Sequence, residues 1–171
     1  MNSEEALDTA RAIIDTLPDE TSGLWKYYAS QGRESDWLHD ILARVVLITA
    51  QEQPIFVDGS ISDDDGPSGF ILVATDSTLV RAEFTPDEGS RFSPGVKAIV
   101  ESVPRSAVLR VTALTAHPGQ PQRPWPLRAQ VRIDLDRELT GTTSITLPSD
   151  TNAVKANAER LFALVRHLHR N

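Results

Sequence analysis

The sequence predicts an α+β, mostly β fold: a bent seven-stranded antiparallel sheet or partly open barrel, capped by a C-terminal helix, with an N-terminal helical extension. Three observations carry that expectation. Short apolar stretches recur between about residues 42 and 147, several of them alternating strictly between apolar and polar residues. Eleven Pro and nine Gly punctuate the chain, as turns between short strands require. Past Pro148 the apolar spacing changes to that of a helix.

The first segment reads as a helix. Asn2 or Ser3 can cap it, Glu4 and Glu5 lie in the first turn where the helix dipole favours anions, and Pro18 follows its end. Leu7, Ala10, Ile14 and Leu17 make one apolar stripe. The aromatic residues Trp25, Tyr27, Tyr28 and Trp37 follow in a helical or irregular stretch that packs onto what comes next. In "HDILARVVLITA", Trp37, Ile41, Val45 and Ile48 share a helical face, whereas the β-branched run Val45, Val46, Ile48 and Thr49 favours a strand over about residues 42 to 50. The strand is the preferred reading. Residues 58 to 69, "DGSISDDDGPSG", have the composition of a loop.

The stretch "FILVATDSTLVRAEF" folds back on itself. Val80, Ala82 and Phe84 alternate with Leu79, Arg81 and Glu83, the period of a half-buried strand. Phe70 to Thr75 is uniformly apolar, which suits a central strand covered on both sides. "TDST" lacks the Gly that favours a tight two-residue hairpin, so a slightly longer turn is expected. Ala98 to Val103 is a short strand closed by Pro104, and Ala107 to Leu114 is another with Leu109, Val111 and Ala113 on one face. In "LRAQVRIDLD", Ala129, Val131, Ile133 and Leu135 point inward, and Thr142 to Leu147 is the last strand. Ser149 or Asp150 caps the terminal helix, whose stripe is Val154, Ala158, Leu161, Val165 and Leu168. Arg166, His167, His169 and Arg170 complement its negative end.

Composition bounds the function. The chain has 171 residues, enough for one domain with an appended segment. No window approaches the roughly 18 apolar residues that span a bilayer. The start is acidic where a signal peptide would be basic, and a soluble, cytoplasmic protein is expected. Without cysteine there is no disulfide framework, thiolate zinc site or thiol nucleophile. Residues 1 to 66 hold fourteen acids against four bases, and residues 67 to 171 hold ten against thirteen, giving the net charge of −7. That balance offers nucleic acid no clustered basic face.

The order of seven strands followed by one amphipathic helix is similar to that of bacterial pleckstrin-homology-like domains. "FILVATDSTLVRAEF" resembles their second and third strands, "VESVPRSAVLRV" their fourth and fifth, and "ITLPSDTNAVKANAERLFALVRHL" their last strand and capping helix. The resemblance divides the chain into an N-terminal helical extension, residues 1–40, and a pleckstrin-homology-like barrel with its helix, residues 41–171. It implies a non-enzymatic module for interaction or assembly that binds protein, or associates with itself, and needs no cofactor. Well-known members hold phosphoinositide headgroups with basic residues between their first two strands. Here that loop has four Asp and no base, which disfavours phosphoinositide membrane binding.

Other chemistries find little support. Counting back from Gly66 in a calcium-loop pattern puts Asp65 and Asp63 at ligand positions, but Ile61 and Leu72 at two others, so a solvated acidic turn is the better reading and no metal is expected. His167 and His169 lie two apart and cannot share a helix face. A hydrolytic enzyme would have only His39, beside Asp40, and the Asp-rich loop to work with. "DEGSRFSPG" lacks the ending of a nucleotide loop. The loop "HPGQPQRPWP" carries Pro118, Pro121 and Pro124 at polyproline spacing, with Arg123 and Trp125 beside them, a pattern that could dock in a partner groove or merely stiffen the connection. The alternative to protein binding is a small barrel enclosing a hydrophobic small molecule.

Overall fold

Seven antiparallel strands in two sheets, with helices packed against both, make up the computed structural model, which describes residues 3–17, 25–28, 30, 36–50, 52–87, 95–117, 128–140, 144–147 and 156–168. Helix α1 (Ser3–Thr16) precedes a helical turn at residues 25–28 and then α2 (Asp36–Ile48). Strands β1 (Phe56–Ser62), β2 (Ser68–Ala74), β3 (Thr78–Asp87) and β4 (Gly95–Pro104) form a meander in which each pairs with the next. A 3-10 turn, Arg105–Ala107, passes the chain to a second meander of β5 (Val108–His117), β6 (Arg128–Leu135) and β7 (Ser144–Leu147). The short α3 (Arg137–Thr140) lies between the last two strands, and α4 (Ala156–Leu168) follows them. No described helix is long and apolar enough to cross a membrane.

The single bent wall expected from the sequence is divided into sheets of four and three strands, and these do not close into a barrel. Pro104, with no amide to offer a ladder, ends β4, and the 3-10 turn redirects the chain there.

Residues 36–48 are helical, not a strand. Leu38, Ile41, Leu42, Val45 and Val46 are all buried, and this spacing places them on one helical face. A strand would send Val45 and Val46 to opposite sides, yet both belong to one core. Tertiary burial therefore overrides the β preference of the branched residues. Position 40, the expected division of the chain, falls inside this helix.

Residues 58–69 are mostly strand, not loop. Val57 pairs with Val73 and Ile61 with Gly69, which leaves only 63–67 as the connection. Gly59 owes its place to close packing: a Cβ there would stand 2.6 Å from Leu17 Cδ2 and 3.0 Å from the Phe70 carbonyl oxygen. The Asp63–Asp65 run occupies the turn, where Ser62 Oγ donates to Asp64 Oδ2 at 2.9 Å.

The first sheet is apolar on both faces. Ile71, Val73, Val80 and Phe84 meet the helices through Ile13, Trp25, Leu38 and Ile41. Phe56, Leu72 and Leu79 meet the second sheet and α4 through Ile133, Leu135, Leu161 and Leu164. The uniform Phe70–Thr75 stretch thus supplies the interior strand β2, with one core on each side. Trp25 lies edge-on to Phe84 at 5.7 Å, and Tyr28 edge-on to Trp37 at 5.1 Å. Burial and the neighbouring Asp63 carboxylate raise the Tyr28 phenol above its ordinary value.

The hairpin at Asp76–Ser77 is present. Strand pairing stops at Ala74 and Leu79, and Thr75 N donates to the Thr78 carbonyl at 2.9 Å. Thr78 N donates instead to Thr75 Oγ1 at 3.1 Å, so a hydroxyl replaces a backbone acceptor in a turn without Gly. In β5 the expected face is corrected by an irregularity between Val108 and Arg110. Leu109 turns outward, 67% exposed, while Val108 and Val111 pack on the second core. In β6, Val131, Ile133 and Leu135 point inward as expected.

Candidate functional site

Helices α1 and α2 bring small side chains together and leave a groove. Ala6, Leu7 and Ala10 form one wall, and His39, Leu42, Ala43 and Val46 the other, around about 360 Å³. Alanines on both sides keep the helices from filling the space between them. Leu7 stands on the rim, 49% exposed, although Ile13 and Ile14 further along α1, and Leu17 just past its end, are buried against the sheet. The N-terminal stripe is therefore split: its end covers the domain's own core, and its start borders the groove. The two helices carry six acids against two bases. Both bases are already committed, Arg11 to Asp8 at 3.5 Å and Arg44 to Asp40. The helical layer that carries this groove is therefore net negative, while the residues lining the groove itself include no acid.

A second concavity lies between the sheets, on the opposite face of the first sheet. Leu72 and Leu79 from β2 and β3 face Leu135 and Ile145 from β6 and β7 around about 300 Å³. Arg81, Glu101, Ser102 and Thr140 border the same space. A smaller recess of about 150 Å³ shares Leu72, Arg81 and Ile145 with it, so Arg81 lines both. Its guanidinium carbon lies 5.8 Å from the centre of the Phe70 ring, and it pairs with Glu83 along its own strand. Arg81 Nε is buried without a hydrogen-bond partner.

The third cluster is ionic. Arg105, from the turn between the sheets, reaches His167 near the end of α4 and the carbonyl of Asp76 at the hairpin tip. Asp76 Oδ1 is 3.3 Å from His167 Nε2. Glu52 Oε2 accepts the Ser77 amide at 3.0 Å. Hydrogen bonds from the Thr75 and Ser77 side chains, then from the Ser77 amide, hold the Glu52 carboxyl below its ordinary range. Every member of this cluster ties one chain segment to another, and none faces either concavity.

The sequence-predicted docking residues Pro121, Arg123, Pro124 and Trp125 lie outside the described residues. His39 is exposed on the groove wall, while Asp40 turns to Arg44, so the two do not act as a pair. Among the described residues, no group of three or more His, Asp and Glu is placed to hold a metal ion. Sequence reasoning missed Ala6, Ala43, Arg81 and Glu101 as site residues. The alanines only matter once two helices face each other, whereas Arg81 did carry a signal, as a charge alternating with the apolar residues Val80 and Ala82 of its strand. Comparison of the chain with protein-family models, with curated proteins and with solved structures finds no match in any of the three.

Proposed function

We propose that the chain is a non-enzymatic, pleckstrin-homology-like interaction module that docks a basic, amphipathic helical segment of a partner protein between α1 and α2. The observation that carries this reading is the open apolar groove on a net negative helical layer. The order of seven strands and a terminal helix supports the family resemblance. Insertion of an apolar helix face into a groove is a common recognition mode. Each buried anchor side chain contributes about 1.5–3 kcal/mol. Two or three anchors contribute about 3–9 kcal/mol before ordering costs are subtracted, which suits weak affinities nearer millimolar, about 4 kcal/mol, than micromolar. Basic residues on the partner's flank add attraction that salt weakens. A second copy of this chain is a poorer occupant, because it would set one acidic layer against another.

Fluorescence anisotropy with a labelled Leu/Lys amphipathic helical peptide tests the reading. Ala43 is exposed on the groove wall, so Ala43→Glu alters the groove without disturbing the core. The expected result is binding that falls about tenfold or more in Ala43→Glu, which corresponds to about 1.4 kcal/mol. Equal binding of a peptide with the same composition but a scrambled stripe would overturn it, because charge alone would then explain association. Self-association of the wild type that Ala43→Glu abolishes would also overturn it, in favour of a second copy.

A further inference from the structure

The cleft between the sheets lies on the other side of β2 and β3 from the helical groove and offers a different chemistry. Arg81 and Glu101 are direct partners across β3 and β4, so their side chains rise from the same face of the sheet. They lie at the border of one cleft, yet Arg81 forms its ion pair with Glu83 and not with Glu101. Beneath them the floor is aliphatic, built by Leu72, Leu79, Leu135 and Ile145.

Charge counting selects the ligand. A simple anion drawn to Arg81 would meet the carboxylates of Glu83 and Glu101 as well. A simple hydrocarbon would cover the charged border without replacing its water, which is costly. A simple amine would satisfy Glu101 but leave the remaining guanidinium donors unused. A guanidinium has five N–H groups, so Arg81 can keep Glu83 and still receive a second carboxylate. A molecule carrying a carboxylate and an ammonium side by side, with an apolar tail, matches both charges and the floor. The volume, about 300 Å³, sits at the small end of ligand cavities.

We propose that the inter-sheet cleft binds a small α-amino acid with an apolar side chain. Its carboxylate accepts from Arg81, its ammonium donates to Glu101, and its side chain lies on Leu72, Leu135 and Ile145. This site is independent of the partner groove, and neither requires the other.

Isothermal titration calorimetry with free L-leucine and L-phenylalanine tests it, alongside isocaproate, which lacks the ammonium, and isoamylamine, which lacks the carboxylate. The expected result is saturable binding of at least one amino acid, with each single-charge analogue weaker by about tenfold or more. Glu101→Gln, at an exposed position, should weaken the amino acid by a similar factor while leaving isocaproate binding no weaker and the melting temperature unchanged. Methyl NMR should place the shifts on Leu72, Leu135 and Ile145. Amino acid and isoamylamine binding equally would overturn the proposal, as would shifts confined to the helical groove, or no binding by either amino acid near its solubility limit.

Discussion

Arg105 and His167, 62 positions apart, meet head to head: Arg105 Nη1 lies 2.7 Å from His167 Nε2. The other terminal nitrogen of Arg105 donates to the His167 carbonyl oxygen, in the last turn of α4. That carbonyl end carries the negative pole of the helix, so a cation there is doubly favoured. The Arg105 amide donates to the Ser77 carbonyl at 2.8 Å, which adds the hairpin tip to the same joint. Nε2 can accept from Arg105 only when it carries no proton, and can donate to Asp76 only when it does. The imidazole therefore serves one neighbour at a time.

Arg105→Ala removes the side-chain half of this joint while leaving the backbone bond to Ser77. Hydrogen bonds to charged groups contribute about 1.5–3 kcal/mol when buried, and less when partly exposed as here. The expected loss is about 1–3 kcal/mol, or roughly 2–12 °C in melting temperature for a chain of this size. Arg105→Lys should recover only part of it, because an ammonium cannot reach His167 and Asp76 in the same fork. Thermal denaturation followed by circular dichroism measures both variants, and an unchanged melting temperature for Arg105→Ala would show the joint to be idle.

Glu52 gives the hairpin tip a pH dependence of known sign. Its carboxyl is held below the ordinary value of 4.5 by hydrogen bonds from Thr75 and Ser77, so the folded state prefers the charged form. Its contribution is therefore complete above that value and is lost as pH falls through the lower, folded one. Denaturant titrations of wild type and Glu52→Gln should differ most at neutral pH and converge in acid. A gap that stays constant through the acid range would remove Glu52 as the titrating group.

Ala50 closes α2 in a left-handed conformation, with φ of 50°. Its amide donates to the Leu47 carbonyl at 3.3 Å, and Thr49 Oγ1 donates to the Val46 carbonyl at 3.0 Å. A side chain in this region costs roughly 1–2 kcal/mol, which glycine avoids, although glycine loses more entropy on folding. Ala50→Gly should therefore stabilise the protein by about 0.5–1 kcal/mol in urea denaturation. Destabilisation instead would mean that the helix ends in another conformation.

What was legible in the sequence was what two-residue periodicity controls. Val80, Ala82 and Phe84 declare their face without reference to anything distant, and so do Val131, Ile133 and Leu135. The failures were places where one segment's residues answer to another. Val45 and Val46 favour strand locally, but the apolar sheet face above them selects a helix. Gly59 in Asp58-Gly59-Ser60 is there because Leu17 presses on the strand, not because the chain bends there. Leu109 reversed its face through a single irregularity that no spacing rule anticipates. The candidate sites belong to this second kind. Ala6 and Ala43 make a groove, and Arg81 and Glu101 share a cleft, only after four separate pieces of chain have been placed.

Glycines 59 and 69 separate a clash that can be relieved from one that cannot. At Gly59 the nearest obstacle is the tip of the Leu17 side chain, 2.6 Å from an added Cβ. At Gly69, where φ is +154°, an added Cβ would run into the Ser60 carbonyl, fixed by the pairing of β1 with β2. Overpacking of this kind costs about 1–3 kcal/mol where neighbours can shift, and more where they cannot. Gly69→Ala should accordingly be the more damaging change, and shortening Leu17 should not rescue it. Gly59→Ala should be less damaging, and Leu17→Ala combined with it should cost less than the two separate losses together. A double-mutant cycle in urea reads the difference as a coupling of about 0.5–3 kcal/mol. Strict additivity of Leu17→Ala and Gly59→Ala would mean that α1 does not rest on β1 as described, and the acidic helical layer would then lack its anchor to the sheet.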